Sequence, residues 1–252
     1  MGLLGPESAV PEERASIIDA TGVGRLLDET RPECVFNCAA YNAVDRAENE
    51  RVQAFAVNGE GPGIVAAACR RIGATFVHYS TNFVFDGSLE RPYLEADEPA
   101  PLSVYGHSKL AGERTVMAAG ALALVIRTAA LFGGPMSFPY RILERARGAG
   151  KLPVVSDQRV NPTYARDLAR ASMELVEAGT LGIVHAVGDG CCAWDEFARA
   201  VLEEAGVDRP VESVRTGDYP AAARRPANGC LASTRIEALR HWREALHEAL
   251  TP

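Results

Sequence analysis

The sequence predicts an α/β protein built on a mostly parallel, doubly wound sheet. Three observations carry that prediction. Short β-like runs alternate with helical patterns along most of the chain. The runs are apolar enough to be buried under helices on both faces. Groups able to do chemistry fall just after one such run, at the carboxyl end where sheets of this class hold ligands. The chain has 252 residues, 47% hydrophobic and 23% charged. That allows a sizeable core in one large domain or two small ones.

Taken in order, a helix over residues 24–30 leads into the strand-like run Cys34-Val35-Phe36-Asn37. Residues 49–72 read as one long helix, with Ala54, Val57, Ile64, Ala67 and Ala68 along an apolar side. Gly73 ends it, and residues 74–79 form the next strand. A helix over 104–118, a strand over 122–127, a helix over 140–147 and a short strand over 153–155 follow. A helix over 165–177 and a strand over 183–187 complete the alternation. The pattern then changes. Residues 194–205 are helical, a Pro-, Arg- and Gly-rich stretch runs over 208–228, and a final amphipathic helix spans 235–250. This last part reads as a smaller substrate lobe at the carboxyl edge of the sheet. The expected division is a core of residues 1–132 with about 153–190, and a lobe of about 133–152 with 191–252.

Composition excludes several classes of function. A net charge of −7 argues against a general nucleic-acid or anionic-membrane binder. The longest apolar stretch, residues 116–126, is far short of the roughly 20 residues a spanning helix needs. No basic, then apolar, secretory leader opens the chain. Cysteines at 34, 38, 69, 191, 192 and 230 have neither zinc-knuckle nor disulfide-framework spacing. They are expected to be reduced in a cytoplasmic protein without a metal.

A doubly wound sheet suggests a dinucleotide fold, which normally opens with a strand, a G-x-G-x-x-G turn and a helix N-terminus for the pyrophosphate. This chain opens Met1-Gly2-Leu3-Leu4-Gly5-Pro6, and the acidic, proline-containing run to Glu13 does not make that helix. The nearest substitute, Thr21-Gly22-Val23-Gly24-Arg25-Leu26-Leu27, has Leu27 where the third glycine belongs. It reads as an ordinary helix entry. Gly59, Gly61 and Gly63 follow Asn58 and read as clearance for a neighbouring backbone.

The strongest chemical signal is Tyr105-Gly106-His107-Ser108-Lys109. Tyrosine and lysine four apart on a helix share one face. An ammonium beside a phenol favours the phenolate and brings its pKa toward the working range. Upstream, a strand ends in Tyr79-Ser80-Thr81-Asn82-Phe83. A hydroxyl at that strand end is placed to polarise a substrate carbonyl, or simply to cap the strand. Thr81, Tyr105 and Lys109 together make a site for ketone and alcohol chemistry.

These residues, in ordered blocks, resemble the extended short-chain dehydrogenases/reductases, and within them the dTDP-4-dehydrorhamnose reductases. The blocks are Asn37-Cys38-Ala39-Ala40-Tyr41-Asn42-Ala43-Val44-Asp45-Arg46-Ala47-Glu48, Ala56-Val57-Asn58, His78 to Thr81, Val104 to Glu113, Arg127-Thr128, Asp157-Gln158, Pro162 to Ala165, Trp194 to Ala198 and Arg225-Pro226-Ala227-Asn228. The resemblance implies a Rossmann-like core and a nicotinamide cofactor, NADPH or NADH. It implies that Tyr105 protonates a sugar 4-keto oxygen, that Lys109 binds the nicotinamide ribose and tunes Tyr105, and that Thr81 hydrogen-bonds the substrate oxygen. Ala39, Ala40 and Tyr41 would lie along the cofactor, with Ile17 on its adenine side. Asn82, Ala130, Ser137, Phe138 and Arg225 would face a nucleotide sugar or another small ketone. Arg225 is equally suited to an ion pair between lobes.

The sequence departs from that family in places. The first strand, glycine loop and first helix have no counterpart, and Leu3-Leu4 looks like a remnant of the second strand. Ser16-Ile17-Ile18-Asp19 lacks the adenine-side carboxylate, and Arg127-Thr128-Ala129-Ala130 lacks an aromatic of the sugar site. Asn82 and Phe83 cannot supply the acid–base pair of the related sugar dehydratases. The expected architecture is therefore a Rossmann-like sheet truncated at its N-terminal βα unit, with a homodimer mate or partner subunit covering the gap. Two functions stay open. One is NADPH-linked reduction of a nucleotide-activated 4-keto-6-deoxysugar. The other is a redox-inactive relative, either a cofactor-free isomerase, cyclase or epimerase using Tyr105 and Lys109, or a regulatory subunit.

Overall fold

The computed structural model describes residues 16–251. The Leu3-Leu4 and Gly5-Pro6 features of the sequence lie outside them. Helix α1 (Ala20–Thr30) starts at Asp19, whose side chain caps the Thr21 N–H, and stops at Arg31 in the left-handed region. The Gly22–Gly24 pair is thus a helix entry, and a carboxylate fills its N-terminus. A methyl at Gly22 would sit 2.5 Å from that carboxylate.

Strand β1 (Cys34–Asn37) leads to α2 (Val44–Ala47) and α3 (Arg51–Phe55). The single helix expected over 49–72 is divided. A π turn (Ala56–Glu60) separates α3 from α4 (Gly61–Ile72), whose first turn holds Pro62. Proline lacks an N–H and its ring crowds the carbonyl four residues back, so a regular helix cannot run through it. The widened turn carries the buried Asn58.

Strand β2 (Thr75–Thr81), α5 (Val104–Ala118) and β3 (Leu122–Thr128) follow. Helix α5 begins where the sequence places it because the Ser103 hydroxyl accepts from the Gly106 N–H at 3.2 Å. Next come β4 (Leu131–Phe132), α6 (Phe138–Ala146), β5 (Leu152–Val155), β6 (Arg159–Val160) and β7 (Thr163–Tyr164). Then α7 (Ala165–Glu177), β8 (Gly182–His185), β9 (Gly188–Asp189), β10 (Cys192–Ala193) and α8 (Trp194–Glu204). The chain ends with β11 (Val211–Val214), β12 (Leu239–His241) and α9 (Trp242–Leu250). The final helix is shorter than the expected 235–250. Its first part is instead drawn into pairing β12 with β9, and the Arg235 guanidinium donates to the carbonyls of Leu181 and Ile183.

The main sheet is parallel in the order β1-β2-β3-β8. Successive side chains of its strands point to opposite faces. Phe76 and Val125 join Val23, Leu27, Val65 and Cys69 under α1 and α4. Val77, Leu124 and Ile126 join Leu168, Leu175 and Val184 under α7. A further core gathers Phe132, Ile142, Val154, Phe197, Trp242 and Leu246 from the later elements.

One expectation about cysteine is corrected. The structure pairs Cys191 with Cys230, their Cα atoms 6.1 Å apart, and leaves Cys34, Cys38, Cys69 and Cys192 free. Sequence spacing hides this pair. Arg159 joins Ala193 on one side and Asn228 on the other, and that pairing brings the two cysteines together. Among the described residues no helix is long and apolar enough to cross a membrane, and no three His, Cys, Asp or Glu side chains form a metal cluster.

Candidate active site

The carboxyl end of β2 and the first turns of α5 meet at the site. Thr81 is buried at the strand end, and its hydroxyl accepts from the Phe83 N–H at 3.2 Å. Tyr105 and Lys109 lie one turn apart on α5, and both are buried. The Phe83 ring stands edge-on to Tyr105, with centroids 5.4 Å apart.

The electrostatics differ from the sequence expectation. Burial raises the Tyr105 phenol above its usual range, and the Thr81 hydroxyl beside it works in the opposite direction. The lysine responds in the opposite direction. Burial brings Lys109 down to about 8, opposed by the Glu113 carboxylate. Its ammonium donates to the Tyr79 carbonyl at 2.6 Å, so the two groups are neighbours on one helix face whose ionisation is set first by desolvation.

The segment after β1 passes beside this centre. Asn37 accepts from the Ala39 N–H at 3.1 Å, and its amide donates to His78 Nδ1 at 3.2 Å. Asn58 holds Tyr41 at both backbone groups, accepting from its N–H at 2.8 Å and donating to its carbonyl at 3.0 Å. The same amide donates to Ser108 Oγ at 3.0 Å, which fastens the segment to α5. The Tyr41 hydroxyl donates to Glu50 at 2.5 Å. Ala39 is exposed and Ala40 half-buried, so small side chains face outward at this strand end. That surface, with the Lys109 ammonium, suits the nicotinamide and ribose end of a dinucleotide. The Gly22–Gly24 helix entry does not suit its pyrophosphate, because Asp19 already caps it with negative charge. Ile17 follows the described start of the chain. It packs with the α1–α4 core, its Cδ1 2.8 Å from where a Gly61 methyl would be.

Asn82 and Phe83 pass from this centre into a cavity of about 730 Å³. Ser137, Phe138 and Arg225 line the same cavity, so four of the six residues expected to contact a substrate share one wall system with Phe83. Thr81 and Ala130 do not line it; Leu131 does. Ala130 sits at φ 43°, and its carbonyl accepts from Thr163 at 3.2 Å. Asn82 donates to the Gly229 carbonyl at 2.9 Å, and a side chain at 229 would collide with it. Phe138 packs on Trp194 with ring centroids 4.7 Å apart. The Ser137 hydroxyl donates to the Gly134 carbonyl at 2.6 Å.

Arg225 realises the ion pair the sequence allowed. Its guanidinium meets Asp45 at 2.7 and 3.1 Å, and the same carboxylate accepts from the Ala223 N–H. That guanidinium holds the Asp45 carboxyl below its usual range. Sequence reasoning gave no role to Asn58, Glu113, Arg141 or Arg145. Asn58 and Glu113 stood inside blocks that drew attention for other residues. Arg141 and Arg145, four apart on α6, line the cavity, and that spacing puts both on one helix face.

Comparison with known proteins agrees with this geometry. The RmlD substrate binding domain matches residues 6–252. A dTDP-4-dehydrorhamnose reductase of Mycobacterium tuberculosis (strain CDC 1551 / Oshkosh) is 40% identical over 255 residues, covering 96% of this chain and 83% of that protein. The spore coat polysaccharide biosynthesis protein SpsK of Bacillus subtilis is 38% identical over 247 residues, covering 96% and 87%. The crystal structure of Bacillus anthracis dTDP-4-dehydrorhamnose reductase in complex with NADP superposes with a TM-score of 0.93 at 31% identity, covering 97% of this chain and 91% of that one. The fold is thus the Rossmann-like parallel α/β fold of those reductases, and the chain belongs to the RmlD substrate-binding-domain family.

Proposed function

We propose that the chain is an NADPH- or NADH-linked reductase of a nucleotide-activated 4-keto-6-deoxysugar. One observation carries the reading. A buried phenol with a hydroxyl beside it, one helix turn from a buried lysine, adjoins through Phe83 a cavity large enough for a nucleotide sugar. The relatives named as dTDP-4-dehydrorhamnose reductases, and the one crystallised with NADP, support reduction over a cofactor-free or regulatory role. The same proposal assigns the stretch up to residue 132 and about 153–190 to the cofactor side. It assigns about 133–152 and 191–252 to the substrate side, and the cytoplasm as the place of action.

When bound, the nicotinamide supplies hydride to the carbonyl carbon. The protein's own groups manage the proton and the charge. Lys109 offers the ribose hydroxyls an ammonium, and Ala39, Ala40 and Tyr41 lie along the cofactor. The raised pKa of Tyr105 keeps it a phenol at neutral pH, which is the form that can donate. Tyr105 gives its proton to the carbonyl oxygen as charge builds there, while Thr81 hydrogen-bonds the same oxygen. The positive charge of Lys109 stabilises the phenolate left behind. Arg141 and Arg145 give the cavity the charge that a diphosphate requires; Arg225 is already paired with Asp45.

The test is NADPH oxidation in the presence of dTDP-4-keto-6-deoxysugar. Oxidation is expected only when the sugar carries the 4-ketone, and the 4-hydroxy sugar should give none. Absence of turnover with either NADPH or NADH, with the ketone present, would overturn the reading.

A further inference from the structure

We propose that Glu113 is a positioning residue for this site, its buried carboxylate fastening the helix that carries Tyr105 and Lys109 to the strand that ends in Thr81. The activity readout rests on the reductase reading; the geometry does not. Glu113 and Arg127 are each only 2% exposed. One carboxylate oxygen accepts from Ser80 Oγ at 2.5 Å and Arg127 Nε at 2.9 Å, and the other accepts from Arg127 Nη2 at 2.7 Å. These bonds join α5, β2 and β3 at one point. Ser80 immediately precedes Thr81, and Glu113 is one turn from Lys109 and two turns from Tyr105 on the helix.

The clamp is itself anchored. Arg127 lies 5.1 Å from the Phe85 ring centroid, and its Nη1 faces His185 Nε2 at 3.4 Å. His185 Nδ1 faces the carbonyls of Ala232 at 2.9 Å and Tyr93 at 3.1 Å. Carbonyls only accept, so Nδ1 carries the proton and Nε2 presents its lone pair to Arg127. Burial and the neighbouring guanidinium keep His185 neutral. The network therefore has one negative and one positive charge, both hydrogen-bonded.

A buried ion pair of this kind is a poor route to stability, because the charges must be desolvated. Apolar side chains could fill the same space at no loss. What they could not supply is a fixed register between Thr81 and the α5 face. Nor could they supply the negative charge that favours the Lys109 ammonium. The other titratable group that feels the Lys109 charge is His78 on β2. His78 is held neutral by burial and by Lys109 itself.

Two variants test the proposal. Ser80→Ala removes the bond to β2 and leaves every charge in place. Its kcat should fall roughly tenfold, its KM values should stay within about twofold, and its melting temperature should fall by only a few degrees. Glu113→Gln keeps the shape and removes the charge. The chain has two lysines, Lys109 and Lys151, and Lys151 is exposed. Lysine-selective isotope labelling therefore gives two NMR signals that titrate separately, without substrate or cofactor. The Lys109 midpoint should drop in Glu113→Gln, stay put in Ser80→Ala, and carry the alkaline limb of kcat with it. Where Glu113→Gln fails to fold because Arg127 is stranded, Ser80→Ala decides. A Ser80→Ala enzyme with wild-type kcat, or a folded Glu113→Gln protein with an unmoved Lys109 midpoint, overturns the proposal. A wild-type chain that reduces nothing counts against the reductase reading alone, and the NMR titration still judges the charge carried by Glu113.

Discussion

Two neighbouring strand ends build the candidate site, and they are held by different chemistry. At the end of β2, Thr81 sits beside a buried ion pair, and the facing helix brings a buried lysine and a buried phenol. At the end of β1, Ala39 to Tyr41 are held by the side-chain amides of Asn37 and Asn58. The first end is charged, dry and rigidly cross-braced. The second is partly exposed and held at a few backbone groups, with the Tyr41 hydroxyl on the Glu50 carboxylate at its rim. On the proposed function, the difference separates proton transfer from cofactor binding. Proton transfer needs charges fixed before substrate arrives, because their reorganisation would raise the barrier. A cofactor platform needs contour and a little play.

The comparison can be broken most sharply at Lys109. Its pKa falls from 10.5 to about 8 on burial. The unfolded chain therefore binds more protons than the folded one between about pH 8 and 10.5, and the stability of the wild type rises with pH across that window. Below pH 8 the buried ammonium costs on the order of 3 kcal/mol. Lys109→Met should therefore raise the melting temperature at pH 7, lose that advantage by about pH 10.5, and abolish turnover. Denaturant titrations at the two pH values check it. A variant less stable than the wild type at pH 7 would show that the Lys109–Tyr79 bond outweighs desolvation.

A smaller effect is expected at the β1 end. Asn58→Ala removes both bonds to Tyr41 and the one to Ser108. It should cost about 2 kcal/mol of stability and raise the KM for the nicotinamide cofactor more than it lowers kcat. The reverse split would mean that Asn58 serves α5 and not the β1 end. The smallest effect is at the end of β3. Ala130 has φ 43°, a conformation that glycine adopts without strain. Ala130→Gly should stabilise the fold by about 0.5–1 kcal/mol and leave KM for the sugar unchanged, since Leu131 and not Ala130 lines the cavity.

What the sequence revealed follows the same division. Helices over 104–118 and 165–177 were readable to the residue, because Ser103 caps the first and the second carries a periodic face. The Tyr105–Lys109 pair was legible because helix spacing alone puts both on one face. Features made by distant chain segments were not. The π turn at 56–60 depends on Pro62 and on the partners of Asn58. The loss of the first part of the last helix depends on pairing with β9, and the Cys191–Cys230 link depends on Arg159. The direction of the Tyr105 shift was hidden for a related reason: spacing shows the nearby lysine but not the burial that raises the phenol.

The central claim is that hydride and proton meet a sugar ketone at Tyr105. It is tested most directly by turnover of the nucleotide 4-keto-6-deoxysugar with NADPH deuterated at the transferring position, in the wild type and in Tyr105→Phe. The account predicts one deuterium at C4 of the product in the wild type, and a kcat lower by roughly 10²–10⁴ in the variant. Deuterium absent from C4, or a Tyr105→Phe enzyme running at the wild-type rate, would contradict it.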